Sequence, residues 1–154
     1  MRIDWKKLII ITVITFIVGT FFSFFTMNSM DTFKDLSVPI HVPGVLFPIV
    51  WSILYLLMSI SCYLIVQSND KDKKEGIILY AIQLVINSLW TLIFFGFGAY
   101  LLSFIWIIIL LIVVIIMLAK FYNINKIAMY INIPYVLWLL FAAYLNLGIY
   151  LLNK

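Results

Sequence analysis

Three segments of the 154-residue chain carry aromatic rings and amide groups at intervals of three and four residues. In a helix, this spacing places side chains on one face. The segments contain Pro48, Trp51, Tyr55, Met58 and Cys62; then Asn87, Trp90 and Phe94; then Pro134, Trp138, Phe141, Ala142 and Leu145, bordered by Asn146. Rings with a few polar groups can hold a flat apolar molecule, because aromatic faces are wide and each hydrogen bond fixes an orientation.

Conventional catalytic and metal-binding sets cannot be assembled from this chain. Acid–base catalysis and metal binding need several His, Cys, Asp or Glu side chains that converge. The sequence has one histidine, His41, which we interpret as a solvated loop residue, and one cysteine, Cys62. We therefore expect no metal site and no required cofactor. Any reaction would draw its reactivity from the bound molecule.

The ring-bearing segments lie in runs that are too apolar for a soluble fold. The chain is 66% hydrophobic and 10% charged, whereas soluble domains carry about 25% charged residues. A helix of about 20 apolar residues crosses the hydrocarbon core, and other open backbone arrangements leave polar groups unsatisfied in lipid. Four charge-free runs reach this length, and Gly96-Phe97-Gly98 divides the longest one. The sequence therefore predicts an all-α integral membrane protein with a five-transmembrane-helix bundle.

The five helices are predicted over about 8–27, 45–67, 77–95, 99–119 and 128–151, in a single membrane domain 1–154. The connection 28–44, called the outer loop below, is long enough for a lid, although a mobile surface loop is an equal alternative. The fourth predicted helix has Ser103 as almost its only non-aromatic polar residue, so we expect it to face lipid. Trp5 and Trp106 are expected at the membrane interfaces.

Basic residues are distributed unevenly between the connections. One side of the predicted bundle has Arg2, Lys6, Lys7, Lys71, Lys73, Lys74, Lys120 and Lys126. The other side has only Lys34 and Lys154. The positive-inside rule then places the N-terminus inside and the C-terminus outside. The net charge of +4 reflects this topology, and no basic face for a nucleic-acid partner is present.

The helical rise of 1.5 Å per residue predicts how deep the rings and amides lie. Asn87, Trp138 and Tyr55 would each lie about 15 Å below the membrane boundary at which their helix starts, and Trp51 about 9 Å. These side chains can converge in the outer half of the bundle, beneath the outer loop. A pocket with a lid is one interpretation. Plain helix packing is the other, since a helix–helix hydrogen bond would also satisfy Asn87.

A family resemblance rests on the same residues. The chain contains, in order, Pro43-x4-Pro48-x2-Trp51-x2-Leu54-Tyr55-x2-Met58, Asn87-x2-Trp90-x3-Phe94-Phe95-Gly96 and Pro134-Tyr135-x2-Trp138-x2-Phe141-Ala142-x2-Leu145-Asn146. This pattern resembles the tryptophan-rich sensory protein, or translocator protein (TspO/MBR), family. His41-Val42-Pro43-Gly44 stands where that family commonly has a double proline and a second tryptophan.

The resemblance implies a receptor, commonly a homodimer, in a lipid bilayer. Its implied ligands are protoporphyrin IX and related tetrapyrroles, synthetic isoquinoline and benzodiazepine compounds and, in some members, sterols. The implied ligand-binding residues are Trp51, Tyr55, Asn87, Trp90, Trp138, Phe141, Ala142 and Asn146. A sterol motif is present in Leu147-x2-Tyr150-x3-Lys154, although such patterns are weak and an interfacial anchor is favoured. We expect a multi-pass protein of a bacterial cell membrane.

Three functions remain open from the sequence. The first is a porphyrin receptor or sensor, extended by a hypothesis of light-dependent porphyrin oxidation with Trp51 and Trp138 as the reacting neighbours. The second is a transporter of porphyrins or other small apolar molecules. The third is a structural membrane subunit. Ion-coupled carriers usually place ionisable side chains within their spans, and the predicted spans have none, which weakens coupled transport.

Overall fold

The computed structural model describes residues 2–154, except for the side chains of Met30 and Thr32, and every element in it is helical. The elements are α1 (Trp5–Thr26), a 3-10 helix (Met27–Asp35), α2 (Leu46–Gln67), α3 (Lys73–Thr91) with a π-helical turn (Leu92–Gly96), α4 (Tyr100–Ile124), α5 (Lys126–Ile131) and α6 (Ile133–Leu152). Within the described residues, five helical spans are long and apolar enough to cross a membrane, with α5 and α6 forming the fifth. The predicted five-helix membrane fold is confirmed.

Polar side chains fix the starts of two helices. The Asp4 carboxylate accepts a hydrogen bond from the Lys7 amide at 3.2 Å, which caps α1. This bond favours the charged form and lowers the pKa of the Asp4 carboxyl. The Asn125 side chain accepts bonds from the Ile127 and Ala128 amides at 3.0 and 3.2 Å, so α5 begins directly after α4.

Pro134 divides the last span, which the sequence predicted as one helix over 128–151. Proline has no amide hydrogen, and its ring clashes with the carbonyl four residues earlier, so a helix rarely continues through it. The chain therefore breaks at Asn132, and Pro134 lies in the first turn of α6, where it is tolerated. The Asn132 side chain donates to Ser61 Oγ and to the Ala128 carbonyl, at 2.5 and 3.0 Å. The hydrogen bond to Ser61 thus links the break between α5 and α6 to α2.

The turn between α3 and α4 forms at the predicted glycines. Gly98 has φ +59°, the only positive value in the described backbone, and a residue without Cβ adopts it freely. The turn is short enough to pack α4 directly beside α3. The third and fourth spans are therefore antiparallel neighbours.

The fourth helix was expected to face lipid, and only one of its sides is exposed. One side of α4 is buried, with Ser103, Ile107, Leu110, Val114, Met117, Leu118 and Phe121 inside the bundle. These residues recur every three or four positions, as packing against α3 and α6 requires. Almost every residue of α4 is apolar, so its sequence could not distinguish the side that meets protein from the side that meets lipid. Trp106 is half-buried, and its indole donates to the Ile86 carbonyl at 2.8 Å.

An ion-pair cluster joins the start of α3 to the last turns of α4 at one end of the bundle. Lys120 Nζ lies 2.6 Å from Glu75 Oε2 and 3.6 Å from Asp72 Oδ2. The α2–α3 connection therefore lies beside the inner end of α4, as the predicted topology requires. Which end faces the cytoplasm stays a prediction.

Candidate functional site

A cavity of about 600 Å³ opens among the helices at the end of the bundle where the outer loop lies. Residues from α1, the 3-10 helix, α2, α3, α4 and α6 line it. Seven of the eight predicted binding residues are on its wall: Trp51, Tyr55, Asn87, Trp90, Trp138, Ala142 and Asn146. Phe141 is not on this wall. It packs behind Trp138, with the ring centroids 5.3 Å apart.

Trp51 is the centre of one aromatic wall. Its ring centroid lies 5.5 Å from that of Tyr55 and 6.4 Å from that of Trp138, with the two indoles nearly perpendicular at 89°. Phe47 meets Trp138 edge to face at 5.9 Å. The buried indole nitrogen of Trp138 has no hydrogen-bond partner among the described residues. This wall thus offers apolar ring faces, whereas the indole nitrogen of Trp138 is enclosed within it.

Asn87 and Tyr55 form the polar floor of the cavity. The Tyr55 hydroxyl lies within donating distance of the Gly19 carbonyl (3.0 Å) and of Asn87 Oδ1 (3.1 Å). The Asn87 amide donates to Tyr135 Oη at 2.8 Å, and Tyr135 donates to Gln83 Oε1 at 2.9 Å. The helix–helix hydrogen bonds considered for Asn87 are therefore present, and they tie four spans together beneath the cavity.

A second wall is built from α3 and α6. The Trp90 indole donates to Asn146 Oδ1 at 3.2 Å, and the Asn146 amide donates to the Ala142 carbonyl at 2.7 Å. Trp90 also stacks on Phe94, with centroids 5.3 Å apart and planes at 27°. These bonds hold the indole of Trp90 in a fixed orientation at the cavity.

The first half of the outer loop lies at the cavity mouth. Phe33 of the 3-10 helix contacts Phe47, Phe94 and Phe95, with ring centroids about 6 Å apart in each pair. Asp31 and Lys34, which also line the mouth, form an ion pair of 3.0 Å. The loop therefore packs on the ends of α2 and α3 rather than projecting away from them.

The second half of the outer loop is fastened to the end of α6. The Ser37 amide donates to Asn153 Oδ1 at 3.0 Å, and the Asn153 side chain donates back to the Ser37 carbonyl at 2.8 Å. Pro39 lies directly on Gly148, where the proline ring occupies the space that an added Cβ would need. This pair of bonds and the close contact hold the second half of the loop against the end of α6.

Sequence reasoning missed the contributions of α1 and α4. Phe16, Thr20 and Ser23 come from α1, and Ile107 and Leu110 come from α4. α4 is apolar on nearly every side, so no periodic signal marked its residues. In α1, small and polar residues recur at steps of three and four, and this stripe could have indicated the side that packs in the bundle: Thr12, Thr15, Gly19, Ser23 and Thr26. Gly19 of α1 offered one retrospective clue, since a small residue allows a neighbouring ring to approach closely, and Tyr55 occupies the space that a Cβ would need.

Comparisons with known proteins agree with the resemblance. The model of the TspO/MBR family matches residues 10–152. The "Tryptophan-rich protein TspO" of Archaeoglobus fulgidus is 35% identical over 133 residues, which cover 85% of this chain and 86% of that protein. The protein of the same name from Chlorobaculum tepidum is 34% identical over 113 residues, covering 72% of each. A "Translocator protein homolog" of Schizosaccharomyces pombe is 32% identical over 117 residues, covering 73% of this chain and 71% of the relative.

The match extends beyond the three ring-bearing segments to nearly the whole chain, including α1 and α4. Five apolar spans and these relatives together support a multi-pass integral membrane protein with a role as a membrane sensor or translocator. The chain belongs to the TspO/MBR family.

Proposed function

We propose that this protein is a membrane receptor that binds porphyrins, protoporphyrin IX above all, in the outer cavity. The observation that carries the proposal is the convergence of seven predicted residues on one cavity of about 600 Å³. Pockets for small molecules typically have about 300–1,000 Å³, mostly apolar walls and a few polar groups. Trp51, Trp90 and Trp138 offer the ring faces, and Asn87 and Asn146 are the polar groups.

The same apolar cavity would take synthetic isoquinoline and benzodiazepine compounds, because these are also largely apolar, aromatic ring systems. A sterol bound at Tyr150 and Lys154, and a homodimer, are further proposals that rest on the family resemblance. Cross-linking of the purified protein would test the homodimer. Binding of a sterol that survives loss of the cavity would test the separate sterol site.

We further propose that bound protoporphyrin is oxidised in light, with dioxygen as the oxidant. The porphyrin absorbs the light, and the protein supplies position and electron-rich neighbours. Trp51 and Trp138 are the neighbours we favour, because both indoles lie on the cavity wall within 6.4 Å of each other. Trp90 is the reserve candidate.

Transport of porphyrins or other small apolar molecules is the alternative function. The name of the yeast relative, a translocator protein homolog, favours it. Below the Tyr55–Asn87 floor, however, the described core is filled by buried side chains such as Met58 and Leu84. A molecule crossing the bundle would therefore need this core to rearrange.

Filling the cavity tests the receptor proposal. Ala142 lies on the cavity wall and is buried, so Ala142→Trp should occupy the space that the porphyrin needs. Ala119→Trp on the exposed side of α4 adds the same fluorophore without touching the cavity, and is the matched control. Purified protein would be titrated with protoporphyrin IX while tryptophan fluorescence is followed.

Saturable quenching should be lost or strongly weakened in Ala142→Trp and unchanged in Ala119→Trp. Thermal unfolding of both variants would confirm that each is folded. Equal porphyrin affinity in the two variants would show that the porphyrin binds elsewhere, and the outer cavity would then not be the receptor site.

A further inference from the structure

Two charged side chains stand at the mouth of the cavity, and the other described residues of its lining are neutral. Asp31 and Lys34 both belong to the 3-10 helix, and Lys34 Nζ lies 3.0 Å from Asp31 Oδ1. Their side chains are 81% and 77% exposed. The mouth is therefore the place where a ligand's charged group can be held while its rings lie between the aromatic walls.

Lys34 is the only lysine or arginine of the outer loop, which also contains Asp31 and Asp35. The formal charge of the loop is thus negative when His41 is neutral. An anionic ligand approaching the outer loop would be repelled by the two carboxylates of the loop and attracted by its one ammonium group. Lys34 is consequently the residue on which recognition of an anion at the mouth depends.

Lys34 can exchange Asp31 for another anionic partner at little cost. Exposed ion pairs three residues apart contribute little to stability, because water and salt screen them. The ammonium group has three donors and a flexible stem, and Asp31 is its only described ion-pair partner. A carboxylate on the ligand can therefore replace Asp31 without disturbing the fold.

We propose that Lys34 selects ligands that carry a carboxylate at the edge of an apolar ring system. In the free protein, the Asp31 carboxylate occupies the place beside Lys34 that the ligand's carboxylate would take. This inference rests on the proposed function, since it assigns a role in recognising the ligand of the same cavity. The rings enter between Trp51 and Trp138, and the acid group stays at the mouth. Asp31 thereby acts as a competitor that lowers affinity for the acid.

The experiment uses the full chain in detergent and two probes, protoporphyrin IX and its dimethyl ester, which has the same rings without the negative charges. The variants are Lys34→Gln and Asp31→Asn. Lys154→Gln is the matched control, because Lys154 lies next to Asn153, which holds the outer loop, and is not part of the cavity lining. Comparing each variant with wild type for one probe cancels the different partitioning of acid and ester into the detergent.

Lys34→Gln should weaken binding of the acid about two- to five-fold and leave binding of the ester unchanged. Asp31→Asn should strengthen binding of the acid by a similar factor, and Lys154→Gln should change neither. The difference between wild type and Lys34→Gln should shrink at high salt. Opposite effects of the two variants on the acid, with none on the ester, are expected when the ligand's carboxylate binds beside Lys34 and Asp31.

If Lys34→Gln changes the affinities for the acid and the ester equally, or if Asp31→Asn weakens binding of the acid, this inference is overturned. The proposed function would still stand in that case, because the porphyrin would still bind saturably. If neither probe binds the wild-type protein saturably, the proposed function fails and this inference fails with it.

Discussion

Removing the hydroxyl of Tyr135, which lies beneath the cavity floor, should destabilise the bundle. Tyr135 is 1% exposed, accepts a hydrogen bond from the Asn87 amide at 2.8 Å and donates one to Gln83 Oε1 at 2.9 Å. Tyr135→Phe keeps the ring and removes both bonds. It leaves a donor of Asn87 and an acceptor of Gln83 buried without a partner, and Gln83 Nε2 already has none among the described residues.

The expected loss can be worked out from these two bonds. Side-chain hydrogen bonds within membrane bundles contribute on average about 0.6 kcal/mol, with a maximum of about 1.7. Two bonds therefore give about 1–3 kcal/mol, since partners left unsatisfied in a dry core increase the cost. Tyr144→Phe is the matched control, because it makes the same chemical change on the exposed face of α6.

The assay is reversible unfolding of the purified protein in mixed micelles with increasing SDS, followed by tryptophan fluorescence. Tyr135→Phe should lower the free energy of unfolding by about 1–3 kcal/mol relative to Tyr144→Phe. A double-mutant cycle with Asn87→Ala should then recover a coupling of about 0.6 kcal/mol or more. Equal stability of the two tyrosine variants, or zero coupling, would refute the view that this network fastens the spans together.

Three further predictions follow from the same structure. Asn153→Ala removes both hydrogen bonds to Ser37, so proteolysis within the outer loop should be faster in the ligand-free variant than in the ligand-free wild type. Saturating protoporphyrin should slow this cleavage less in the variant than in the wild type. Unchanged cleavage would show that the loop is a simple connector. Single cysteines at Ser37 and Asn69 are introduced in a Cys62→Ser background, and an impermeant thiol reagent is added to intact cells. The cysteine at Ser37 should be labelled and the one at Asn69 should not, and labelling of both would contradict the predicted orientation. Trp138→Phe should slow light-dependent conversion of bound porphyrin more than it weakens binding, and equal product per bound porphyrin would end the photochemical hypothesis.

The outer loop illustrates a feature that the sequence could only suggest. Its length indicated a lid or a mobile connection, and both interpretations were open. The structure shows Phe33 packed at the mouth and Ser37 bonded to Asn153, at the other end of the chain. A contact between residues 116 positions apart has no local signal, because nothing in either segment specifies its partner.

The break in the last span and the packing of α4 differ in how far they could have been foreseen. Pro134 was visible in the sequence, and its missing amide hydrogen gives a reason to expect a break. The exact place of the break, at Asn132, depends on hydrogen bonds to α2 that form only in the folded bundle. The buried side of α4 gave no signal at all, since lipid and protein interior are equally apolar and both accept Ile and Leu.

By itself, the sequence determined the membrane class, the number of spans and the turn at Gly98, and it named seven of the residues that meet at the cavity. These follow from local chemistry: about 20 apolar residues are needed to cross the hydrocarbon core, glycine adopts positive φ, and residues three or four apart share a helix face. Only the tertiary structure decided that Phe141 lies behind Trp138, that Asn87 is bonded to Tyr55 and Tyr135, and that Asp31 and Lys34 stand at the mouth. Periodicity fixes the face of one helix, whereas the rotation of that helix against its neighbours is set by how all the side chains fill the shared space.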